Sequence, residues 1–518
     1  MNSSQCLVSF DTDRVKEYVF ATSKLMEVRG ASALLEELNK RKTDKTVAQV
    51  LDLPDADNVR IYAAGGSAMY EAPQRKAEDL IHAVARLYRE DTITASITGA
   101  WALLEGRSFK DARNEVALKL RQEKARHGRP AILPVAPYLQ FCDSCGLYPA
   151  AERAKDPDGV QKHLCRSCDI KRKRGRKDRV SLFWEEFQKV ARETNLREEW
   201  GRVERPEDFT QIGEKARPTG YIGLIYCDGN QMGKFFEQLD TKEDHSSRAN
   251  EVDEAIRQAT YKTLLDRYAP ETLAPFEVLL LGGDDLLLVT TADQALEVAI
   301  GVAERFEQFA PRPLTLSTGV VIAHDSFPIA QMRELADELL KQAKRRSFEA
   351  NGVSTIDFTV VTAASAGDIE RTREEVLTNR GFARQLDSSS AEVEITHWLT
   401  ERPYTISELK TLLKHARRLI EVGFPRSRLQ TMYEALFVSE RAAMTAATMG
   451  VARTGQQKHY DAIVGFFADF GVNIKAPAFP PWRKEKDPIK KNASGDPVET
   501  HKTALGDLVE IYPFVGRG

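Results

Sequence analysis

The order of apolar segments between residues 221 and 324 constrains the fold more than any other feature of the sequence. Residues 221–228, YIGLIYCD, form a continuous apolar run that ends in an aspartate, as expected for a strand buried on both faces. A helix, two strands separated only by a glycine turn, a second helix and a closing strand are predicted at residues 249–268, 276–290, 292–310 and 314–323. This order predicts a ferredoxin-like unit, βαββαβ, which a further helix and strand extend.

The same order of elements occurs at the N-terminus. A strand, a helix, a hairpin with a Gly-Gly turn, a second helix and a closing strand are predicted at residues 5–13, 31–41, 59–72, 77–90 and 93–101. We interpret this as an internal repeat of architecture, with little residue identity. The first copy carries Gly65-Gly66-Ser67-Ala68 where the second carries Gly282-Gly283-Asp284-Asp285, so only the second copy has the acids.

With 518 residues, the chain is long enough for three or four domains. We predict an α+β protein with a first ferredoxin-like unit at 1–137, a cysteine-containing module with a helical linker at 138–215, a second unit at 216–366 and an α-helical domain at 367–518. The net charge of −3 gives no global attraction to nucleic acid, so such a site has to be local. No apolar run is long enough to span a bilayer and no signal segment is evident, so we expect a cytoplasmic protein without a membrane partner.

Two adjacent carboxylates stand at the glycine turn of the second unit. Gly282 and Gly283 allow a sharp turn and the close approach of a phosphate or base. Asp284 and Asp285 would repel each other unless a cation neutralises them. Asp228 ends the neighbouring strand, so these acids could share one Mg²⁺ (or Mn²⁺), which prefers a few carboxylates and substrate phosphates. The alternatives are a solvated turn with incidental acids, or a site that binds metal without catalysis.

Lys344 lies near the end of a predicted amphipathic helix that follows the closing strand of the second unit. From there its ammonium could reach over the sheet edge to a triphosphate and neutralise charge that develops during transfer. The alternative is a surface lysine on a charged helix face.

Four cysteines have the spacing of a zinc site. Cys142 and Cys145 form one Cys-x-x-Cys pair, and Cys165 and Cys168 form another. In a cytoplasmic protein this pattern predicts tetrahedral Zn²⁺ in a structural role, because four thiolates leave no position for water. His163 could replace one cysteine, although we expect it to be a bystander.

A basic run, KRKRGRKDR at residues 171–179, follows the second cysteine pair. It could contact a phosphate backbone, or it could be a solvated loop or helix end. The absence of aromatic residues in the run argues against base stacking there.

The first unit has acids at the end of its first strand, Asp11 and Asp13, but its turn carries none. A complete metal site is therefore not expected there. Ser32 lies in a small-residue segment at a predicted helix start, where it could contact a phosphate or ribose. The alternative is a plain N-cap formed by the Ser32 side chain.

The motifs YCDGNQMGKFF, LLLGGDDLLLV, STGVVIA and ADELLKQAK, together with the two units around the four cysteines, resemble the palm-domain large subunit of type III CRISPR effector complexes. The resemblance covers residues 1 to about 440. The second unit is also similar, more distantly, to diguanylate cyclases. The resemblance implies that the ferredoxin-like units are palm domains that face each other, each with one ATP. It further implies that ATP is joined 3′–5′ into cyclic oligoadenylate, an antiviral second messenger, when other subunits with guide RNA bind target RNA.

The resemblance also implies roles for individual residues. Asp228 and Asp284 would be metal ligands, and Asp285 would be a ligand or would help deprotonate the attacking 3′-hydroxyl. Lys344 would hold phosphates, and Gly282 and Gly283 would allow the nucleotide to approach. The acceptor-side nucleotide pocket would be lined by Gly65, Gly66 and Ser67.

The sequence departs from the family pattern at two points. No His-Asp doublet precedes the first palm domain, so cleavage of single-stranded DNA is not expected. Asn230 stands where relatives often have a third acid, which puts the metal geometry and the ring size of the product in doubt. Two other functions stay open: a standalone signalling cyclase, and a catalytically inactive nucleotide-binding scaffold subunit.

Overall fold

The N-terminal part of the chain folds as a four-stranded antiparallel sheet with helices on its faces. Its strands are β1 (Gln5–Asp13), β2 (Arg60–Ala64), β3 (Ser67–Pro73) and β4 (Ser96–Leu103), and its helices are α1 (Val15–Val19), α2 (Leu25–Glu37), α3 (Thr43–Leu51), α4 (Ala77–Thr92) and α5 (Phe109–Arg126). The spatial order β2-β3-β1-β4 is that of a ferredoxin-like unit, as predicted. The first long helix starts earlier than residue 31, and a π-helical turn at Leu38–Lys42 joins α2 to α3.

The computed structural model describes residues 4–126, 138–156, 159–176, 181–193, 197–361, 368–386, 392–453, 455–474, 480–485, 490–491 and 497–516. The predicted domain boundaries after residues 137 and 366 lie outside these ranges. No helix within them is long and apolar enough to cross a membrane.

The cysteine-containing module packs against α2 of the first unit. It consists of β5 (Glu152–Lys155), β6 (Gln161–Leu164) and α6 (Arg166–Arg174), and three linker helices follow: α7 (Leu182–Glu193), α8 (Arg197–Trp200) and α9 (Phe209–Lys215). Gly30 of α2 and Gly175 after α6 allow the two helices to touch at the backbone. A Cβ atom on Gly30 would lie 1.8 Å from the carbonyl oxygen of Lys171, and one on Gly175 would lie 1.6 Å from that of Met26. Larger residues would force α6 away from α2.

The second unit repeats the topology of the first and extends it by two strands. Its elements are β7 (Tyr221–Gly229), α10 (Met232–Glu237), α11 (Lys242–Arg267), β8 (Phe276–Gly282), β9 (Asp285–Thr291), α12 (Ala295–Phe309), β10 (Leu316–His324), α13 (Ile329–Glu349) and β11 (Thr355–Val360). Strands β8, β9, β7 and β10 pair in that spatial order, and β11 pairs parallel to β10. The apolar run of β7 is buried over residues 222–227, which explains why its sequence does not alternate.

The described part of the C-terminal region contains six helices and also a small sheet that the sequence analysis did not predict. The elements are α14 (Ile369–Glu375), β12 (Thr378–Leu386), β13 (Glu392–Trp398), β14 (Tyr404–Thr405), α15 (Ile406–Val422), α16 (Arg426–Ala435), α17 (Glu440–Ala452), α18 (Gln457–Asp469), β15 (Arg483–Lys484), β16 (Lys490–Lys491), β17 (Pro497–Lys502) and α19 (Leu505–Ile511). Strands β12, β13, β17, β15 and β16 form the sheet, and β14 joins the edge of the second unit at β11. Two of these short strands, β15 and β16, lie in the Pro- and Lys-rich stretch at residues 476–497.

The two ferredoxin-like units pack reciprocally. Helix α2 of the first unit lies against β8 of the second, and α11 of the second lies against β2 of the first. One hydrophobic cluster includes Val8 and Phe10 of β1 together with Leu224 of β7 and Leu287 of β9. A buried ion pair reinforces the contact, because Glu277 of β8 accepts hydrogen bonds from Arg29 of α2 at 3.0 and 2.8 Å. The predicted α+β fold of two ferredoxin-like units around a four-cysteine module is confirmed.

Candidate functional site

The turn between β8 and β9 is a two-residue loop. Gly282 pairs with Asp285, so the loop consists of Gly283 and Asp284. Gly283 adopts a φ of 65°, which suits glycine in such tight turns. Its backbone N–H donates a 2.7 Å hydrogen bond to Asp253 of α11. The hairpin tip is therefore fixed by the long helix that follows β7.

Arg257 holds the same tip from one helical turn further along α11. Its guanidinium donates to Asp253 at 2.8 Å and to the carbonyl oxygen of Leu281 at 3.1 Å. Because both acceptors are already oriented by the fold, this network orders the tip before any ligand binds.

Asp228 and Asp284 lie next to each other, on β7 and on the loop. One Asp284 carboxylate oxygen accepts a 3.2 Å hydrogen bond from the backbone N–H of Gly229. Burial, followed by repulsion from Asp228, raises the pKa of Asp284 from 3.8 to about 6, although Lys344 opposes the rise. The site therefore concentrates negative charge without fully compensating it.

Asp285 carries the clearest sign of a missing partner. Its Oδ1 atom is buried and has no hydrogen-bond partner in the structure. Burial and then the two neighbouring aspartates raise the pKa of Asp285 well above its usual range. A buried carboxylate oxygen without a donor is rare in folded proteins. A divalent cation would satisfy this oxygen and relieve the repulsion, so the donor set fits Mg²⁺ or Mn²⁺.

Two lysines supply positive charge at the site. The Nζ atom of Lys344 lies 2.7 Å from Asp228 Oδ1, so in this structure the ammonium pairs with the acid rather than standing apart for phosphates. Lys16 of α1 reaches from the first unit to Asp337 of α13 at 3.1 Å and lies over the ring of Tyr226. The sequence analysis did not identify Lys16, because its position depends on how the two units pack.

The three aspartates are close together without converging on one point. Among the described residues, the four cysteines form the only group of three or more potential ligands whose donor atoms all lie within 4.8 Å of one another. Binding of one ion by all three aspartates would therefore involve rotation of side chains.

The turn of the first unit corrects the residue correspondence predicted from the sequence. Ala64 pairs with Ser67, so Gly65 and Gly66 form the loop, both with positive φ. Position by position, Gly65 and Gly66 thus match Gly283 and Asp284, and Ser67 matches Asp285. The pairing of β1 with β3 supports this correspondence. Asp11 of β1 lies opposite Ser67 of β3, and the Ser67 hydroxyl donates a 3.1 Å hydrogen bond to Asp11. Sequence comparison missed this one-residue offset because both turns contain a Gly-Gly pair.

A lysine takes the place of a metal in the first unit. Lys124 of α5 pairs with Asp11 and lies 3.7 Å from a carboxylate oxygen of Asp13. Hydroxyl groups of Ser96 and Thr98 also donate to Asp13, both at 2.8 Å. The charge of these acids is thus compensated by groups of the protein itself.

The two hairpin tips meet across the interface of the units. A Cβ atom on Gly65 would lie 3.1 Å from the carbonyl oxygen of Gly282, so only small residues allow this approach. Beside the contact is a cleft of about 750 Å³, counted with the solvent at its mouth, and its lining includes Gly65, Gly66, Gly282 and Asp285.

Ser32 lines this cleft, but it is not an N-cap. It lies inside α2, which begins at Leu25, and its buried hydroxyl donates to the carbonyl oxygen of Leu279 on β8. The N-cap alternative is wrong because the helix starts seven residues earlier. The cleft lining does not include five of the predicted residues: Asp228, Asp284, Gly283, Ser67 and Lys344. The predicted residues therefore fall into two groups, one that lines the cleft and one that belongs to the adjoining acidic site.

The four cysteines form a compact cluster, as the spacing predicts. The sulfur atoms of Cys142, Cys145, Cys165 and Cys168 all lie within 4.8 Å of one another. Backbone N–H groups of Ser144, Leu147 and Cys168 donate to these sulfur atoms at 3.4 to 3.5 Å. Four cysteine sulfur atoms gathered at this spacing fit Zn²⁺. His163 instead contacts Gln140 at 2.9 Å, outside the cluster.

The described part of the basic run makes contacts within the protein. Lys171 is buried and donates to the carbonyl oxygen of Tyr18 at 2.5 Å, and Arg172 pairs with Asp156 at 2.6 Å. Lys173 and Arg174 pair with acids of α6 and α2. Residues 177–179 of the run lie outside the described residues. These contacts favour a structural role for residues 171–174 over a phosphate contact.

Comparisons with known proteins agree with this architecture. Residues 221–352 match the family described as Cas10/Cmr2, second palm domain. A CRISPR system single-strand-specific deoxyribonuclease Cas10/Csm1 (subtype III-A) from Mycobacterium tuberculosis is 36% identical over 167 residues, and its counterpart from Thermococcus onnurineus is 25% identical over 147 residues. The matches cover 29% and 26% of this chain. The chain spans only about a fifth of the length of these relatives, 20% and 19%.

Solved structures share the fold over most of the chain. The crystal structure of a Csm1-Csm4 cassette in complex with cA4 aligns with a TM-score of 0.56 at 16% identity, covering 89% of this chain and 69% of that one. The crystal structure of the apo Csm1-Csm4 cassette gives 0.56 at 17% identity, covering 92% and 67%. At such identities the likeness establishes the fold. The predicted resemblance to the palm-domain large subunits of type III CRISPR complexes is confirmed by these matches, of which the family match covers residues 221–352.

Proposed function

We propose that this chain is a nucleotidyltransferase that converts ATP to cyclic oligoadenylate as the large subunit of a type III CRISPR effector complex in antiviral defence. The observation that carries the proposal is the unpartnered, buried carboxylate oxygen of Asp285 in a cleft formed where two palm hairpins meet. Solved Csm1-Csm4 cassettes of the same fold, in complex with cA4 and with AMPPNP, support the proposal.

The reaction joins two nucleotides. The 3′-oxygen of one ATP attacks the α-phosphorus of the other, the new phosphodiester bond forms, and pyrophosphate leaves as its bond to that phosphorus breaks. Asp285 would either hold the metal ion or take the proton from the 3′-hydroxyl, because it lines the cleft in which the reacting groups would lie. Gly282 and Gly283 present bare backbone and so allow the reacting groups to approach the hairpin.

Positive charge from lysine side chains and from bound metal ions would neutralise the negative charge of the phosphates. Asp228, Asp284 and Asp285 would hold Mg²⁺ or Mn²⁺, which supplies charge stabilisation for the phosphates when bound. Lys344 pairs with Asp228 and Lys16 lines the cleft, so both ammonium groups lie close enough to offset negative charge on a triphosphate. The reciprocal packing of α2 and α11 holds the two nucleotides at a fixed separation.

Product analysis by mass spectrometry tests the proposal. The purified protein, alone and with co-expressed subunits, guide RNA and target RNA, is incubated with ATP and Mg²⁺. We expect cyclic oligoadenylate from the complex and none from the Asp284→Ala/Asp285→Ala double variant. Asp266→Ala is a matched control, because its carboxylate is 63% exposed and its position is about 20 Å along α11 from Asp253, which holds the hairpin tip.

The outcomes separate the three candidate functions. Product without RNA or other subunits would identify a standalone signalling cyclase. Nucleotide binding without product, in a chain that copurifies with small subunits and RNA, would identify an inactive scaffold. Full activity in the double variant would refute the assignment of the site.

A further inference from the structure

Glu36 is a buried carboxyl group that the proposed reaction does not use. Only 7% of the residue is exposed, and neither of its carboxylate oxygens has a hydrogen-bond partner. The nearest cations lie beyond hydrogen-bond distance, with Arg257 at 3.7 Å and Lys40 at 3.8 Å. Buried polar groups almost always have such partners, so this carboxyl group has the properties of one that meets a ligand.

Glu36 lies in the same cleft as the acidic site. Ser32, Leu35, Glu36 and Asn39 line the cleft from α2 and the turn that follows it, at the spacing of one helix face. The opposite walls are mostly apolar and include the aromatic ring of Phe183 and the side chains of several leucines: Leu280, Leu281, Leu286 and Leu287. Asp285 lines the cleft as well. A flat ligand with apolar faces and one polar edge, attached to phosphates that reach the aspartates, would satisfy both groups of residues.

The protonation state of Glu36 determines which polar edge it can bind. Burial raises its pKa to about 7; Arg257 and Lys40 oppose the rise, whereas Glu186 of α7 and Asp253 of α11 add to it. Neutral Glu36 offers one donor and one acceptor, which complement the ring nitrogen N1 and the exocyclic amino group of adenine. Guanine presents the reverse pattern at the corresponding positions, a donor at N1 and an acceptor at O6, and the charged carboxyl group, which only accepts, matches its N1–H and 2-amino donors instead.

We infer that Glu36 is a specificity-determining residue that binds the Watson–Crick edge of adenine, with its O–H donating to N1 and its carbonyl oxygen accepting from the amino group. The inference rests on the proposed function, because it assigns the base of one of the two nucleotides held in the cleft. Phe183 and the leucines pack against the faces of the base, and Asn39 lies beside its edge.

A purely structural role for Glu36 is the competing explanation, since its charge could merely balance Arg257. That role would affect folding and would leave the choice between adenine and guanine unchanged. Base selectivity therefore separates the two explanations.

Competitive binding of non-hydrolysable ATP and GTP analogues to the full chain, with Mg²⁺ and between pH 6 and pH 8.5, tests the inference. The wild type should prefer the ATP analogue, and the preference should fall as the pH rises through 7 and Glu36 loses its proton. Glu36→Gln presents a fixed donor and acceptor, so it should keep the preference without the pH dependence. Glu36→Ala should lose roughly tenfold or more of the selectivity.

Glu37→Gln is the matched control, because the neighbouring Glu37 pairs with Arg174 at 2.8 Å and is not part of the cleft lining. Its selectivity and pH dependence should equal those of the wild type. Thermal unfolding shows which variants are folded, and the isosteric Glu36→Gln variant remains informative if Glu36→Ala is unstable.

Unchanged selectivity in folded Glu36→Ala, or the same pH dependence in Glu36→Gln as in the wild type, would overturn the inference. Neither result would affect the proposed function, which depends on product formed by the wild type and lost in the double aspartate variant. A wild-type chain that binds neither analogue would overturn both.

Discussion

Replacing Asp284 by asparagine should stabilise the protein in the absence of magnesium. The folded state holds the proton of Asp284 more tightly than the unfolded state does, with a pKa of about 6 against an ordinary value of 3.8. The folded state is therefore penalised as the pH rises from about 4 to 6, and the penalty is complete above 6. It amounts to about 3 kcal/mol at pH 8 and to well under about 1 kcal/mol at pH 4. Asparagine removes the charge and can still accept the hydrogen bond from the Gly229 N–H.

Thermal unfolding in magnesium-free buffer measures this difference. For a cooperative unit of 150 to 250 residues, each kcal/mol corresponds to about 2 to 4 °C, so Asp284→Asn should unfold several degrees above the wild type at pH 8. The gain should nearly vanish at pH 4. Added Mg²⁺ should stabilise the wild type and narrow the gap, because the ion binds the folded state of the chain with all its carboxylates.

The surface variant Asp266→Asn controls for a general effect of charge, since its carboxylate is mostly exposed and should change stability by about 0.5 kcal/mol at most. If Asp284→Asn were no more stable than the wild type at pH 8 without magnesium, the reasoning about charge repulsion at the hairpin would be refuted.

Three further predictions address the zinc module, the interface of the two units and the reaction. Cys168→Ser should lose bound zinc by elemental analysis and unfold at a lower temperature, whereas His163→Ala should retain zinc; retention in both would contradict the four-cysteine site. Arg29→Ala should cost about 3 kcal/mol in urea unfolding, because it removes one partner of the buried Glu277 carboxylate; a loss within about 0.5 kcal/mol would show that Arg205 alone satisfies that acid. The Asp284→Ala/Asp285→Ala variant should form no cyclic oligoadenylate when Mn²⁺ replaces Mg²⁺, because the carboxylates that would hold either ion are gone; product at the wild-type level would contradict the metal assignment.

The fold of the two units could be predicted because the residues of each strand have a recognisable local pattern. The run of β7 is apolar throughout, and the turns at Gly65-Gly66 and Gly282-Gly283 separate strands of matching length. The C-terminal sheet gave no such signal. Strands β15 and β16 contain two residues each and pair only with β17, so their structure depends on a strand distant in sequence rather than on their own residues.

The candidate site divides in the same way. Asp228, Asp284 and Asp285 could be identified because carboxylates at strand ends and turns are unusual in apolar surroundings. Glu36 and Lys16 could not be identified, because an acid or a lysine on an amphipathic helix is usually predicted to lie on the surface. Their burial or position arises only when the first unit packs on the second, and that packing has no local sequence pattern.

The ammonium of Lys124 has a consequence for how the paired units respond to their surroundings. In the first unit, the positive charge that neutralises the aspartates belongs to a side chain of the protein, so it is present at every ion concentration. The second unit would have to bind a divalent cation from solution to complete the neutralisation of its aspartates. Depleting divalent cations would therefore leave the carboxylates of the second unit without part of their counter-charge, whereas those of the first unit would stay neutralised. Of the two copies of the fold, only the second would respond to the concentration of divalent ions.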